Sequence, residues 1–358
     1  MEPDVHVVGA GWSGFAPTTP EVSYKELMFE AASAAYEDAG LDPRRDIDSF
    51  VCCSEDLDEG TSIFDEYVPD QLGAVQRPVQ TVASDGLFGL ATATMLIRSG
   101  VASVVAVEAH SKASNVVSQG RIDRFAMDPM LTRPLDMPAM ALAGLEMRLL
   151  LDELGPDGTG ACDEIVGRNR AHAEGSPRGS AAARSVAEEA WFDPLTATHV
   201  APSADGCVVL VLAGAGHAGP GGVVVDAVDW RQDAPSVESR RWGWVSASLE
   251  RAVDRAFERS SVGPEDIDVL EVDDRYAHRQ LATERLLATR GCRLDDDRIQ
   301  PSGGALGEGY LHEAHGLARA LGCVEAIRAG EARTALASVT REVPSTASCV
   351  AVFRGDGR

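Results

Sequence analysis

Two segments near the start of the chain recur, in the same order, near its end. EAASAAYEDAGLDPRRDIDSFV (30–51) returns as RAVDRAFERSSVGPEDIDVLEV (251–272): an amphipathic helix, a proline-containing turn one residue shorter in the second copy, Asp-Ile-Asp, then an apolar strand. GLFGLATATMLIRSGVA (86–102) returns as GLARALGCVEAIRAGEA (316–332), sharing Gly-Leu at the start and Ile-Arg-x-Gly at the end with identical internal spacing. Either match alone could arise by chance between Ala-rich helices. Together, at offsets of 221 residues for Pro43/Pro264 and 230 for Gly86/Gly316, they predict a duplicated β-α-β unit packed face to face about a pseudo-twofold axis.

Around the repeats, strand-like runs (VHVVGAG at 5–11, DSFVCC at 48–53, ASVVAVEA at 102–109, CVVLVLAG at 207–214) alternate with helical segments. That order is the signature of an α/β fold with buried central strands. A chain of 358 residues, 44% of them hydrophobic, suffices for about two domain-sized units. The expected organisation is an N-terminal half made of 1–113 and 206–220, a C-terminal half at 221–358, and an insertion at 114–205. The insertion holds Pro134, Pro138, Pro156, Pro177 and Pro202, helical stretches at 138–154 and 162–175, and the Ala/Ser/Arg-rich 179–190. Covering one end of the core, it is placed where substrate lids and tunnel walls usually lie.

Composition removes several function classes. With 32 Lys+Arg against 56 Asp+Glu the formal charge is −24, so phosphate backbones and anionic membranes are repelled and nucleic acid is not an expected partner. There is no apolar run of about 18 residues to span a bilayer. MEPDVHVVGAG carries acid where an export signal needs base, so a cytoplasmic location is expected. The seven cysteines form neither a C-x-x-C pair nor a zinc-spaced Cys/His group; they read as reduced core thiols, and no metal site is expected.

A duplicated unit whose paired central helices start at one place resembles the thiolase superfamily, and the resemblance runs over nearly the whole chain. It is carried by VHVVGAGWSGF for the first strand, SYKELMFEAASAAYEDAG for the first helix, NRAHAEGSP in the insertion, SADGCVVLVLA closing the first half, and PSGGALGEG (301–309) for the Asn-x-x-Gly-Gly-x-Leu-x-x-Gly loop. The sequence is most similar to the sterol-carrier-protein type and to archaeal thiolase-like proteins. The resemblance implies an α/β thiolase-like fold: two β-α-β-α-β-α-β halves in a five-layer αβαβα arrangement with an inserted loop and helix region.

The family's nucleophile is a Cys at the N-terminus of the first central helix, where the helix dipole favours thiolate. Its usual Cys-Ala-Ser-Gly-Leu reads Ala83-Ser84-Asp85-Gly86-Leu87 here, so Ala83 holds the nucleophile's place. The Gly-His-Pro motif reads Gly309-Tyr310-Leu311, Cys-x-Gly-Gly reads Thr340-Arg341-Glu342-Val343, and Asn-Glu-Ala-Phe is replaced within EVDDRYAHRQL. The acyl-cysteine step is therefore missing. Three of the four places nevertheless hold proton-carrying groups: Asp85; Asp273, Asp274 and Tyr276; and Tyr310 with His312 and His315 behind it.

Each candidate has a plain structural alternative. Asp85 is an N-cap or a site carboxylate. Tyr276, aligned with a wall Phe, is a buried hydrogen-bond handle or an acid/base group; thiolase-like aldolases also lack the Cys and carry Asp-x-Tyr here. Tyr310 could donate to a thioester oxygen as an enolate develops. Tyr276, Tyr310, Asp85, Asp274 and His315 are thus the candidate catalytic residues, and Ala83, Gly303, Gly304 and His110 the candidate substrate contacts. Cys53 could be a displaced nucleophile or a buried strand-end thiol.

The resemblance implies an acyl-CoA or carrier-bound thioester as substrate, no covalently bound cofactor, and C–C bond cleavage or formation of the aldolase kind. The alternative is a non-catalytic scaffold subunit; ordinary acetyl-CoA acyltransferase activity is disfavoured by Ala83. Relatives imply a homodimer through the strand after Gln80-Thr81-Val82 and a separate zinc-ribbon/OB-fold partner.

Overall fold

The computed structural model describes residues 3–54, 64–115, 124, 127, 129–130, 132–155, 158–179, 190–217, 222–234, 243–341 and 346–357. Eleven strands are seen among them: β1 (Val5–Ala16), β2 (Ser49–Cys53), β3 (Val79–Val82), β4 (Val104–Lys112), β5 (Ala190–Phe192), β6 (Leu195–Thr196), β7 (Asp205–Gly214), β8 (Val223–Gln232), β9 (Val269–Glu271), β10 (Thr334–Arg341) and β11 (Ala347–Gly355). The helices of thirteen residues or more are α1 (Tyr24–Ala39), α2 (Gly86–Arg98), α3 (Ala139–Leu154), α4 (Gly158–His172), α5 (Ala247–Arg259), α6 (Ala277–Thr289) and α7 (His315–Arg328). None of the helices is long and apolar enough to cross a membrane.

The duplication is visible in the strand pairing. In the first half β2 runs parallel to β4, β4 antiparallel to β7, and β7 antiparallel to β1. In the second, β9 runs parallel to β10, β10 antiparallel to β11, and β11 antiparallel to β8. Even the edge strand β3 has a remnant in the second copy, an isolated parallel bridge between Leu270 and Ile299. Among the described residues the two half-sheets are joined edge to edge by the pairing of His6↔Val224 and Val7↔Val223, which unites nine strands in the order β3-β2-β4-β7-β1-β8-β11-β10-β9.

Side-chain alternation builds the five layers, because successive residues of a strand face opposite sides of its sheet. On β4, Val105, Val107 and Ala109 join the central core with α2 and α7, while Val104 and Ala106 join an outer core under α1. On β10, Ala335, Ala337 and Val339 face the centre and Leu336 faces Leu249, Val253 and Leu286 of α5 and α6. A fourth core beneath α3 and α4 of the insertion packs on α6 and on Ala305 and Leu306. Small residues let the central helices sit close: a Cβ on Gly89 would lie 2.2 Å from Cys53 Sγ. Cys53 is thus a buried packing thiol, pushed well up by burial and so held as the unreactive thiol.

Candidate functional site

Asp85 does more than cap its own helix. Its backbone is extended (φ −68°, ψ 155°), and Oδ1 accepts the Leu87 N–H at 2.7 Å, as an N-cap should. Oδ2 accepts the Gly316 N–H of the other central helix at 2.8 Å. One carboxylate, 3% exposed, therefore ties together the N-termini of α2 and α7, the two copies of the repeat. Burial pushes it up to about 6, against the opposing pull of His315 and the two N–H donors. Gly316 is what makes room: a Cβ there would lie 2.1 Å from Asp85 Oδ1 and 2.8 Å from Leu87 Cβ. We expect Gly316→Ala to cost about 1–3 kcal/mol or more, read as a fall in the denaturation midpoint.

Beside this double cap lies a dyad. His315, the first residue of α7, places Nε2 3.2 Å from Asp273 Oδ1; both are buried. Asp273 follows β9, and its Oδ1 also accepts the Arg275 N–H at 3.0 Å. Its Oδ2 faces the Thr340 N–H at 3.3 Å and the Arg279 guanidinium at 3.5 Å. Burial alone would raise the Asp273 carboxyl, but the His315 hydrogen bond and the Arg279 charge reverse this and hold it at about 2. Asp273 is therefore a fixed anion that orients His315. Arg279 in turn donates to the Thr340 carbonyl at 3.0 Å and to Glu146 of the insertion helix α3 at 3.2 Å.

Tyr310 lies against the dyad, its ring centroid 5.1 Å from that of His315. The Tyr310 N–H donates to the Pro202 carbonyl at 2.7 Å and its carbonyl accepts from the Ala204 N–H at 2.9 Å, so the end of the insertion fixes its position. No described residue accepts or donates a hydrogen bond at its hydroxyl. Burial raises its phenol, opposed by the nearby Arg275 charge. His312, on the other side of the ring at 4.8 Å, is depressed to about 3 by burial and by Arg275, and is held neutral with Nε2 3.1 Å from Ser203 Oγ.

A second buried network braces the site from behind. Arg319 of α7 donates to Glu271 at 2.7 Å, to Glu308 at 2.7 Å and to Ser302 at 2.9 Å. Glu308 is shared with Arg178 of the insertion at 2.7 Å, whose guanidinium also lies over the Trp12 and Phe15 rings. Burial raises Glu271 to about 7 despite Arg319. Between its ordinary value and about 7 the folded state binds the extra proton, so stability falls as pH rises through that window. A neutral Glu271→Gln variant loses this dependence. Its stability relative to wild type should rise between pH 5 and pH 8, measured as paired denaturant melts.

The structure brings Asp85, His315 and Tyr310 together and separates the other expected residues from them. Asp274 accepts the Ala305 and Leu306 N–H groups at 2.8 and 2.9 Å and Asn169 Nδ2 at 3.0 Å: it caps the short helix Gly304–Glu308, and the carboxylate beside His315 is Asp273. Tyr276 is fully buried in the insertion core, its hydroxyl donating weakly to Met140 Sδ at 3.7 Å. Gly303 and Gly304 serve close packing, since a Cβ would lie 2.6 Å from Ala173 Cβ and 2.1 Å from Asp274 Oδ2 respectively. His110 lies on the outer face of its sheet, bonded to Glu108 at 2.9 Å and clustered with the Tyr24 and Phe64 rings, because β4 alternation turns it away from α2. Ala83 is exposed, its carbonyl accepting from Arg341 at 3.1 Å, and lines a cleft of about 490 Å³ with Phe88 and Trp230. Glu342 and Val343 lie outside the described residues. Arg275, Arg279 and Glu146 match no motif residue, and nothing in their spacing singles them out.

Among the described residues no group of three His, Cys, Asp or Glu is arranged to hold a metal. No family model matches the chain. It is 24% identical over 357 residues to Sterol carrier protein 2 of Gallus gallus, an alignment covering 89% of this chain and 65% of that protein, so it spans just under two thirds of that relative. It is 25% identical over 358 residues to the acetyl-CoA acetyltransferase of Methanothermobacter thermautotrophicus, covering 92% of each. Its fold superposes on the Ltp2-ChsH2(DUF35) aldolase with a TM-score of 0.78 at 20% identity, over the whole of both chains. Sequence and architecture agree: the chain is thiolase-like, similar in sequence over nearly its whole length to these proteins and sharing the fold of a 3-ketoacyl-CoA thiolase and of the aldolase.

Proposed function

We propose that this protein cleaves or forms a C–C bond next to the thioester of an acyl-CoA or carrier-bound substrate, in the manner of an aldolase and without an acyl-cysteine. The observation that carries the reading is the replacement of the nucleophile by Ala83 while Asp85, Asp273, His315 and Tyr310 are held together at the paired helix N-termini. A site that had merely lost its chemistry has no need of a buried, anion-oriented His beside a phenol whose hydroxyl has no hydrogen-bond partner among the described residues.

In the cleavage direction the imidazole of His315, oriented by Asp273, takes the proton of the substrate's β-hydroxyl. The Cα–Cβ bond breaks, its electron pair passes into the thioester enolate, and the β-carbon leaves as an aldehyde or ketone. Tyr310 donates to the enolate and delivers its proton to Cα, and the His315 imidazolium returns a proton to the phenolate. The shortened acyl thioester and the carbonyl product account for every atom, and no other reactant is consumed. The positive ends of α2 and α7 favour developing negative charge at this place.

The aldolase of like fold is named with a DUF35 partner, which supports a small OB-fold protein as partner here too, and the exposed edge strand β3 supports a homodimer. The test is incubation of the protein, purified with whatever it assembles with, with a series of β-hydroxyacyl-CoA thioesters. Carbonyl release in proportion to shortened thioester is expected; none across the series would sink the reading in favour of a scaffold role.

A further inference from the structure

Arg275 sits between two phenols. Its guanidinium carbon is 4.8 Å from the centroid of the Tyr310 ring and 5.3 Å from that of Tyr276. Its backbone is fixed at both ends: the N–H donates to Asp273 at 3.0 Å and the carbonyl accepts from Ala201 at 2.9 Å, next to the bridge between Val200 and Tyr276. Tyr276 is itself immobile, with the Arg279 guanidinium 4.9 Å from its centroid and the His278 ring stacked at 5.5 Å. The buried ring thus forms a wall that keeps the Arg275 charge on the Tyr310 side.

We propose that Arg275 is a positioning residue for Tyr310: lying across the ring, its charge sets how readily the Tyr310 hydroxyl gives up and recovers its proton, with Tyr276 as the wall that holds it there. This also gives the Asp-x-Tyr stretch a role that does not need Tyr276 to reach substrate. The charge matters because, among the described residues, the carboxylates that act on the phenol work the opposite way. Asp273 from the loop after β9, Glu313 from the turn before α7 and Asp85 from the start of α2 all disfavour a phenolate, and His312 is held neutral. His315 is the remaining base, already occupied on Nε2 by Asp273. A cation against a ring face is attracted more strongly once the ring carries negative charge.

The use made of the proton rests on the reaction proposed above, but the effect of Arg275 on the phenol does not, and the experiment reads the two separately. Fluorotyrosine, whose phenol ionises below that of tyrosine, is placed at position 310 and titrated by fluorine NMR in the full-length protein. Arg275→Met should raise the titration midpoint by about one pH unit or more. Arg275→Lys should restore most of that shift, and Arg275→Gln, which keeps a planar head group without charge, should behave like Met. An unchanged midpoint in Met and Gln, or equal midpoints in Lys and Met, would overturn the proposal whether or not the protein turns over any thioester. With a competent substrate, the alkaline limb of kcat should move in the same direction and order; loss of turnover with the NMR order intact would count against the reaction alone.

Discussion

Arg319→Ala is expected to cost about 3–5 kcal/mol of folding stability. The Arg319 side chain is 1% exposed and sits between two carboxylates, Glu271 and Glu308, that are wholly buried. Deleting the guanidinium strands Glu271 in a low-dielectric interior and leaves Glu308 to Arg178 alone, and the cost of a stranded buried charge exceeds what the pair contributed while intact. The loss should appear as a lower urea midpoint with little change of slope. It should also shrink as pH falls towards 5, because the stranded Glu271 carboxyl, already raised by burial, then takes up a proton in the folded state. A cost that did not vary with pH would mean that the effect is lost packing around the long side chain and not lost charge.

Tyr310→Phe is expected to lower kcat/KM by about 100- to 10,000-fold, while Tyr276→Phe changes it by no more than a few fold. The contrast follows from where the two hydroxyls point. That of Tyr310 has no described partner and adjoins His315, whereas that of Tyr276 is spent on a weak contact to Met140 inside the insertion core. Removing the Tyr276 oxygen keeps the ring and so keeps the wall behind Arg275. Asp273→Asn should match Tyr310→Phe in size, since the amide can no longer hold the imidazole as an anion does. If Tyr276→Phe were the damaging change and Tyr310→Phe the silent one, the chemistry would have to be moved to the insertion face of α6.

Much of the architecture was legible because repetition is a property of the sequence itself. The two central helices and the strands before and after them lie where their periodicity and turn residues place them, as does the helix expected at 138–154, whereas the one expected at 162–175 runs earlier, over Gly158–His172. Asp85, Tyr310 and His315 could be singled out because each stands at or beside a family motif. What could not be read were interactions that depend on which way a strand face turns or on distant partners. His110 and Ala109 are neighbours in sequence but face different layers. Asp273 and Asp274 are adjacent too, yet one holds His315 and the other caps a helix 31 residues on. The bond from Asp85 to Gly316 spans 231 residues, and only the pairing of the repeats puts those two atoms together.

The most direct measurement takes the assembled protein, incubates it with a β-hydroxyacyl-CoA, and follows both the products and the intact mass of the chain. The structure predicts carbonyl compound and shortened thioester in equal amounts, with the mass of the chain unchanged at every time point. Acylation of the chain, or thioester exchange without carbonyl release, would contradict a C–C cleavage that proceeds through Tyr310 and His315 in place of a cysteine.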